Sequence, residues 1–599
     1  MRSANLFQSR ITGGFFRKKL DTNAKVTIPC VYERFNETGR VEALKCRKSN
    51  KPVPICWDSD MAKWMEGAVY YLCENEDEKV CRAYDSAVCD IIENQLECGY
   101  YNPHFQVYEP ENIFKKRTEH ELYCAGHIFE TAVAASKYIG DNRLLKFSER
   151  YVDYIYDRFV VKKDTAFTTP GHEEIELALL KLYTHTGKEK YKELAKFFIN
   201  ERGKRKEDEY ASEVYNYSQS SMPVREQRNA EGHAVRALYL YTAIAELALI
   251  DGDAELKTVV EDIFNDIVSK KQYITGGLGS AHEGERFTYA YDLPNLTAYS
   301  ETCASIAMAF FSAKMLELTG KAVYGDAFER VLYNGILSGV SLSGNEFFYV
   351  NPLEMDIEKV LYNDKVPWKQ AMPIPQRVKL FECSCCPPNL CRFFGELPQY
   401  IYFEGDSEII VSQYITSEFD GKTAKIRMVS DMPYSGKVSL TVNSRGKRIK
   451  LKLRGPYWSN ADFGHTFEGY SIFEGVFDDR VISFDLGVKV RKVYANPHVK
   501  VDCNKVAFTY GPLVLCAERA DNDFDLFAVS VKDTAAPMTE PRNNDFIVRV
   551  KVPVEVSEST DTLYNFTKPV KVKKILELLP YHVWANRGEN DMKVWFDLR

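Results

Sequence analysis

The sequence predicts a multidomain α + β protein in which an (α/α)6 helical barrel is followed by β-sandwich domains. Its 599 residues exceed what one hydrophobic core usually holds. Near Tyr402 the spacing of apolar residues changes from the three- and four-residue steps of helices to the alternation of strands. The predicted domains are therefore residues 1–402 (the barrel, with residues 1–20 free to pair with a sandwich), 403–510 (first sandwich) and 511–599 (second sandwich).

Helices of the first domain come in pairs joined by short glycine turns. Asp58-Ser59-Asp60 offers side-chain oxygens that suit the start of the first helix. Glycine then follows four helical segments, where a left-handed residue commonly ends a helix: Gly140, Gly187, Gly252 and Gly320. Such repeated αα-hairpins predict either an open solenoid or a closed double ring. The long connections 200–232 and 270–298 favour the closed ring, because they can roof a central cleft.

Beyond Tyr402 the chain reads as strands. Four segments alternate apolar and polar residues, as strands with one buried face do: 408–411, 437–442, 448–453 and 546–552. Strands of this length, separated by Gly and Pro residues, are typical of β-sandwiches.

Composition excludes several classes of protein. A net charge of -7 argues against a nucleic-acid-binding protein. The N-terminus lacks the apolar run of a signal peptide, and the longest apolar stretch, 237–250, is short and contains Glu246. These features predict a cytoplasmic protein, in which the fifteen cysteines are reduced thiols or metal ligands. The 13% aromatic content suits a carbohydrate cleft and a large core equally well.

Cysteines are concentrated in one short stretch. Cys383, Cys385 and Cys386 lie within four residues, and Glu301 and Cys303 are spaced two apart earlier in the chain. Thiolates with a carboxylate are ligands that Zn²⁺ collects in tetrahedral sites. The prolines that follow Cys386 predict an irregular turn there. Two alternatives remain open at this point, namely buried free thiols and a vicinal disulfide.

A loop and three histidines are further candidates. The loop His282-Glu283-Gly284-Glu285-Arg286-Phe287 leads into the helix of Glu301, so a carboxylate on this loop can place an acid beside a metal-bound thiolate. A solvated loop charge is the alternative interpretation of this carboxylate.

His127, His172 and His233 each follow a glycine at the start of a helix. A neutral imidazole can donate to one sugar hydroxyl and accept from another, although a single such histidine is commonly structural.

Aromatic side chains offer candidate stacking surfaces for a sugar, although each taken singly is better explained as core. They are Trp57, Trp64, Tyr100 and Tyr349.

Several rare motifs in order resemble glycoside hydrolase family 127 over essentially the whole chain. They are Trp57-Asp58-Ser59-Asp60-Met61-Ala62-Lys63-Trp64, Gly126-His127, Gly171-His172-Glu173-Glu174, Gly232-His233-Ala234-Val235-Arg236, Tyr291-Asp292-Leu293-Pro294-Asn295, Glu301-Thr302-Cys303, Cys383-Ser384-Cys385-Cys386-Pro387-Pro388-Asn389 and Gly511-Pro512-Leu513-Val514. The resemblance implies a helical barrel with two sandwiches and a retaining exo-hydrolase of terminal β-L-arabinofuranosides. A small glycoside or oligosaccharide is the implied substrate, and family habit favours a homodimer.

The resemblance also implies the site residues. Zinc falls on Glu301, Cys303, Cys385 and Cys386, with Cys385 as the nucleophile and Glu285 as the acid/base. Sugar contacts are implied at six further positions: His127, His172, His233, Tyr349, Glu329 and Cys383. In one departure from the family pattern, Val31 stands where relatives place a Gln. The rival functions are a hydrolase of another plant sugar with the same apparatus, a non-catalytic carbohydrate-binding protein stapled by zinc, and a polysaccharide lyase.

Overall fold

The structure is a computed structural model that describes residues 1–204, 216–367, 369–459, 466–542 and 544–599. Residues 205–215 of the predicted connection 200–232 thus lie outside the described residues. The α-helices of the described residues are α1 (Gly14–Thr22), α2 (Ile28–Glu37), α3 (Arg40–Ala43), α4 (Trp57–Leu72), α5 (Glu78–Glu93), α6 (Phe105–Tyr108), α7 (Glu121–Ile139), α8 (Arg143–Tyr156), α9 (Ile175–Thr186), α10 (Glu189–Glu201), α11 (Ala234–Asp251), α12 (Ala254–Lys270), α13 (Thr302–Thr319), α14 (Ala322–Arg330), α15 (Ile357–Asn363) and α16 (Cys386–Glu396).

Six helices form a closed ring, since each packs against the next and the last packs against the first: α4, α7, α9, α11, α13 and α16. These ring helices are buried over most of their length, whereas α5, α8, α10 and α12 pack outside them and bury one face. One close approach needs glycine, because a Cβ on Gly67 of α4 would lie 2.9 Å from the Cys391 carbonyl carbon of α16.

The four glycine caps predicted from sequence are confirmed. Gly140, Gly187, Gly252 and Gly320 end ring helices with φ of 71°, 72°, 68° and 71°. After each cap the chain returns along an outer helix before the next ring helix begins. The N-termini of the ring helices therefore share one end of the ring, here called the N-terminal mouth.

The strands are β1 (Arg2–Ser3), β2 (Ser9–Ile11), β3 (Glu354–Met355), β4 (Tyr402–Glu404), β5 (Glu408–Val411), β6 (Ser417–Asp420), β7 (Lys425–Ser430), β8 (Lys437–Asn443), β9 (Arg448–Arg454), β10 (Thr466–Phe467), β11 (Tyr470–Val476), β12 (Arg480–Asp485), β13 (Val490–Val493), β14 (Lys505–Tyr510), β15 (Leu513–Glu518), β16 (Val529–Val531), β17 (Met538–Pro541), β18 (Val548–Ser557), β19 (Lys571–Pro580), β20 (Met592–Lys593) and β21 (Phe596–Leu598). The four segments predicted as strands correspond to β5, β8, β9 and β18.

Strands β4 to β12 build two sheets, ordered β1-β4-β5-β9-β11-β10 and β12-β8-β7-β6-β2. The N-terminal strands β1 and β2 thus pair with the sheets that follow the helices, in the registers Arg2 with Glu404 and Ser9 with Phe419. Burial alternates along β7 and β8, so one face of this sheet lies in the core.

The remaining strands form a third, ten-stranded sheet ordered β13-β14-β21-β16-β18-β19-β15-β20-β3 with β17 beside β18. Strand β13 pairs antiparallel with β14, so both strands belong to this sheet and not to the two sheets before it. Strand β3 comes from the helical part and pairs with β20, which ties this sheet to the ring. Among the described residues, no helix is long and apolar enough to cross a membrane.

Candidate active site

A carboxylate and three thiols meet at the N-terminal mouth. One ligand atom from each of Glu301, Cys303, Cys385 and Cys386 lies within 4.8 Å of the others. The Cys303 Sγ is 3.6 Å from the Cys385 Sγ and 3.3 Å from the Cys386 Sγ, and the Cys385 Sγ is 3.6 Å from a Glu301 oxygen. Glu301 and Cys385 occupy the N-cap positions of α13 and α16, which are neighbours in the ring.

The backbone at the paired cysteines is regular. Cys385 has helical dihedrals (φ -65°, ψ -32°) and Cys386 begins α16, with proline in its first turn. Proline is well tolerated there because the first amide of a helix has no intrahelical partner. The irregular turn predicted from sequence is therefore wrong, and a helix N-terminus brings the two adjacent thiols together.

These four residues are suited to hold a metal ion. In the described part of the chain, the second Glu301 oxygen is buried and has no hydrogen-bond partner. Burial, together with the neighbouring Glu285 and Cys385 charges, raises the pKa of Glu301 well above its usual range. Burial likewise raises the pKa of Cys386. A bound cation would supply both the missing partner and the compensating charge. Carboxylate and thiolate donors in this number match the preferences of Zn²⁺.

Cys385 differs from the other two thiols in access. It is partly exposed, whereas Cys303 and Cys386 are buried. The Tyr349 hydroxyl lies 3.4 Å from the Cys385 Sγ. Below the cluster, the buried Lys63 donates to the Tyr123 hydroxyl at 2.6 Å. Burial lowers the pKa of Lys63, but the charges of Cys385 and other groups outweigh it and raise that pKa. Lys63 thus supplies positive charge beneath the thiols, a role that sequence reasoning missed.

Glu285 reaches the same mouth from the connection 270–298. Its backbone has φ of 50°, a left-handed conformation that is uncommon for a non-glycine residue. The Glu285 amide donates to the His282 carbonyl at 3.0 Å, which closes the turn. His233, Glu285 and Glu301 offer ligand atoms within 4.8 Å of one another. The carboxylate predicted to be an acid therefore lies beside the thiol cluster.

His233 holds the Glu285 side chain. Its Nε2 lies 2.9 Å from a Glu285 oxygen, and its Nδ1 accepts a hydrogen bond from the Val235 amide at 3.1 Å. Because Nδ1 is an acceptor, the proton is on Nε2 and points at the carboxylate. Burial raises the pKa of Glu285, but the hydrogen bond from His233, together with other nearby groups, outweighs it and lowers that pKa to about 2. The pKa of His233 itself is lowered, chiefly by burial.

The other two histidines lie in the same region. The rings of His172 and His233 are 5.6 Å apart, and His172 packs on Tyr123 at 4.0 Å. His127 is fully buried, and its ring contacts Tyr123 edge-on at 4.5 Å. The structure thus brings together all three predicted histidines.

A second cluster lies behind His127. Its Nδ1 is 3.4 Å from a Glu174 oxygen and 3.6 Å from a Glu130 oxygen. These three residues could also form a metal site. However, Lys181 and Arg392 already contact Glu130. Their positive charges neutralise the cluster, which we therefore interpret as a support for the His127 ring.

Two other predicted sugar contacts, Glu329 and Cys383, have surroundings that differ from those of the histidines. Glu329 of α14 is buried and binds Arg454 Nη2 and Trp458 Nε1, both at 2.7 Å, so its observed contacts join α14 to the end of β9 and the segment that follows it. Cys383 is exposed beside the cluster, where hydrogen bonding to Cys385 raises its pKa. Val31 is buried in α2.

Two of the four proposed stacking residues, Trp64 and Tyr100, are fully buried in the core. Trp57 packs against Arg40, whose guanidinium carbon is 4.7 Å from the ring centre. Tyr349 alone of the four touches the cluster. A further aromatic residue, Tyr299, was missed by sequence reasoning, and it lies 6.0 Å from the Tyr349 ring and beside Glu285.

Comparisons with known proteins agree with this site. Residues 8–399 match the family described as β-L-arabinofuranosidase, GH127 catalytic domain, and residues 490–597 match the glycoside hydrolase family 127 C-terminal domain. The chain belongs to glycoside hydrolase family 127. The family 127 resemblance noted in the sequence is thereby confirmed, and the protein is a glycosidase.

Individual family 127 relatives cover nearly the whole chain. A non-reducing end β-L-arabinofuranosidase of Bifidobacterium longum subsp. longum is 33% identical in an alignment of 591 residues that covers 90% of this chain and 88% of that protein. The crystal structure of a family 127 β-L-arabinofuranosidase from Geobacillus stearothermophilus T6 has 34% identity and a TM-score of 0.92, covering 99% of this chain and 100% of its own. A second solved family 127 β-arabinofuranosidase has 30% identity and a TM-score of 0.90, covering 100% and 98%.

Proposed function

We propose that the protein is a retaining exo-hydrolase that releases L-arabinose from non-reducing terminal β-L-arabinofuranosides. One observation carries the proposal: a partly exposed thiol, Cys385, and a glutamate, Glu285, flank the same carboxylate, Glu301, at the mouth of the ring. The names of the relatives supply the sugar. A nucleophile and an acid on one bound glycoside are what retaining hydrolysis requires.

Cys385 is the nucleophile in this proposal. Its sulfur is the most accessible of the three clustered thiols. The sulfur attacks the anomeric carbon, the bond to the leaving oxygen breaks, and a thioglycosyl intermediate forms. The buried Lys63 and the hydroxyl of Tyr349 stabilise the negative charge on the attacking sulfur.

Glu285 is the acid/base. It gives its proton to the leaving oxygen in the first step and removes a proton from water in the second. The low pKa of Glu285 beside His233 suits the second step. A sugar hydroxyl that takes over the hydrogen bond of His233 would raise this pKa, because the carboxylate then loses its donor. Glu285 can therefore carry a proton when substrate is bound.

Zinc is the cofactor we propose, with Glu301, Cys303, Cys385 and Cys386 as the residues that would hold it. When bound, it keeps its thiol ligands deprotonated at neutral pH. In this proposal the sugar hydroxyls are bound by the three histidines and Tyr349, which would offer neutral donors and acceptors to them.

We also infer that the helical ring with its outer helices is an (α/α)6 barrel and that the sheets form β-sandwiches. All fifteen cysteines lie among the described residues as free thiols, which favours a reducing compartment such as the cytoplasm.

Hydrolysis of a p-nitrophenyl β-L-arabinofuranoside tests the proposal. We expect the purified, zinc-replete protein to release nitrophenol and Glu285→Ala to lose about 10²–10⁴-fold of that activity. A panel of other nitrophenyl furanosides and pyranosides is the control for sugar identity. Faster turnover of a different sugar would show that arabinofuranose is not the substrate sugar. Activity of Glu285→Ala equal to that of the parent protein would show that Glu285 is not the acid/base.

A further inference from the structure

One motif of the chain takes no part in the proposed chemistry, namely Tyr291-Asp292-Leu293-Pro294-Asn295. Asn295 is buried and donates to an Asp502 oxygen at 2.7 Å. The Pro294 carbonyl accepts from the Tyr273 hydroxyl at 3.1 Å. These bonds fix the motif against the segment before β14, and they leave the Tyr291 side chain at the edge of a cavity.

The cavity lies between the helical ring and the ten-stranded sheet and has a volume of about 460 Å³. Its wall carries two arginines, Arg330 and Arg491, and several aromatic rings, namely Tyr291, Tyr457, Trp458, Tyr494 and Trp595. Tyr457 and Tyr494 are about half exposed, at 52% and 51%. Exposed rings beside planar polar groups are the surfaces on which sugar rings stack.

Tyr291 is held in a strained conformation. Its φ of 68° lies in the left-handed region, which a bulky residue rarely adopts. The Tyr291 amide donates to the Lys270 carbonyl at 2.8 Å, and the ring packs on His498 at 5.1 Å. Strain of this kind persists where a structure needs one side chain in one place, and ligand clamps are a common setting.

Arg330 places a guanidinium on this wall. Its guanidinium lies over the Tyr457 ring, 4.7 Å from the ring centre. Within the described ranges it has no acidic partner, and its Nε is buried without a hydrogen bond. By contrast, Lys270 and Lys492 on the same wall pair with Asp266 and Asp533. A guanidinium stacked on an aromatic ring and lacking an acid is ready to bind a carboxylate through its planar fork.

The cavity shares an end of the ring with the thiol cluster. Helix α12 runs back from Gly252, so its last residue, Lys270, returns to the N-terminal mouth. The connection that starts there carries first Glu285 and then Tyr291. One glycan chain could therefore contact both places, with its terminal residue at Cys385 and a more distant residue at the cavity.

We propose that this cavity is an accessory binding site for a saccharide residue that carries a carboxylate, of the uronic-acid class. The sugar ring stacks on Tyr291 and Tyr457, and the carboxylate pairs with Arg330. The inference goes beyond the proposed hydrolysis, and the binding it describes needs no catalysis.

Calorimetric titration of the full-length Cys385→Ser protein tests it, because this variant does not turn over glycosides under the proposal. The probes are a galacturonic acid trisaccharide and the neutral galactose trisaccharide of the same linkage. We expect the acidic probe to bind at least tenfold more tightly than the neutral one. Arg330→Gln should then weaken binding of the acidic probe at least tenfold and leave the neutral probe unchanged.

Two further variants control the result. Tyr291→Gly deletes the ring at a position whose φ glycine adopts freely, and it should weaken both probes. Arg448→Gln removes an exposed arginine of β9 and should change neither. Arg330→Gln with Cys385 restored should keep the wild-type kcat/KM on a small nitrophenyl glycoside.

The proposal is overturned if the acidic trisaccharide fails to bind, if the neutral one binds as tightly, or if Arg330→Gln and Tyr291→Gly bind like the parent. A loss of hydrolysis in the wild-type enzyme would affect the proposed function alone, since these titrations do not depend on it.

Discussion

The Nε2 of His233 donates to a Glu285 oxygen at 2.9 Å while its Nδ1 accepts from the Val235 amide. A helix N-terminus thus fixes the tautomer of the histidine, and the histidine fixes the charge of the glutamate. Since this hydrogen bond favours the carboxylate, it sets how readily Glu285 can act as an acid in the free enzyme.

Replacing His233 should therefore change the pH dependence of the reaction. His233 lowers the pKa of Glu285, so His233→Ala raises that pKa. The protonated acid then persists to higher pH, and the alkaline limb of kcat/KM moves upward by at least one pH unit. A pH profile on a nitrophenyl substrate measures the shift, with His185→Ala as an exposed control. An unmoved or lowered limb would contradict the coupling of the two residues.

The left-handed backbone of Glu285 predicts a difference between two inactive variants. A non-glycine residue in this conformation costs about 1–2 kcal/mol, which glycine does not incur. We expect Glu285→Gly to unfold at a higher temperature than Glu285→Ala although neither hydrolyses substrate efficiently. Thermal unfolding followed by circular dichroism compares them. Equal or reversed midpoints would show that the turn carries no strain.

Removing the metal should expose the thiols of the cluster. Chelation by a strong zinc ligand is expected to abolish activity and to lower the unfolding temperature, because a metal that binds only the folded state stabilises it. Cys303, Cys385 and Cys386 should then become reactive toward a thiol reagent. Elemental analysis before and after treatment gives the metal content. Activity that survives complete removal of zinc would exclude its proposed place in the site.

An ion-pair cluster at the opposite end of the ring predicts pH-dependent stability. Lys314 lies 2.6 Å from oxygens of both Glu246 and Glu317. Burial raises the pKa of Glu317, but Lys314 and Arg2 outweigh it and lower that pKa to about 2. The stabilisation is therefore present above the unfolded pKa of about 4.3 and is lost as the pH falls toward 2.

Lys314→Met removes this stabilisation, because it leaves two buried carboxylates with fewer partners. We expect a loss of about 3 kcal/mol at pH 7 and a smaller loss at pH 3, measured by urea unfolding of the variant beside the parent protein. Lys188→Met, which breaks an exposed pair with Glu149, is the matched control and should have little effect. A loss of unfolding free energy that is larger at pH 3 than at pH 7 would contradict the predicted direction of the pH dependence.

Much of the fold follows from local chemistry that a sequence displays. The four glycine caps and the alternating strands are set by residues close to one another in the chain, so they can be predicted. The pairing of β13 with β14 cannot be predicted from the sequence. A partly polar, half-exposed strand such as Val490–Val493 gains its register only from the strand beside it. The first two strands likewise depend on partners that lie far along the chain.

The candidate site, like the fold, contains residues that the sequence indicates and residues that only the structure reveals. Residue types single out the clustered cysteines and Glu301 as a possible metal site, whereas the roles of Cys385 and Glu285 follow from the family resemblance. Lys63 and Glu174 were not predicted as site residues, because each acts on a residue that is distant in sequence. Lys63 lies near the charge of Cys385, and Glu174 contacts the ring of His127. Glu329 illustrates the converse, since only the structure reveals its bonds to Arg454 and Trp458.

The central claim is that Cys385 forms a covalent bond to the sugar. The most direct test is to incubate zinc-loaded Glu285→Ala with an activated β-L-arabinofuranoside and map the modified peptide by mass spectrometry. This variant keeps the nucleophile but lacks the base for the second step, so the intermediate accumulates. The account predicts one added pentosyl group on the Cys385 sulfur, absent in the double variant with Cys385→Ser. A pentosyl group on another residue, or wild-type turnover by Cys385→Ser, would contradict it.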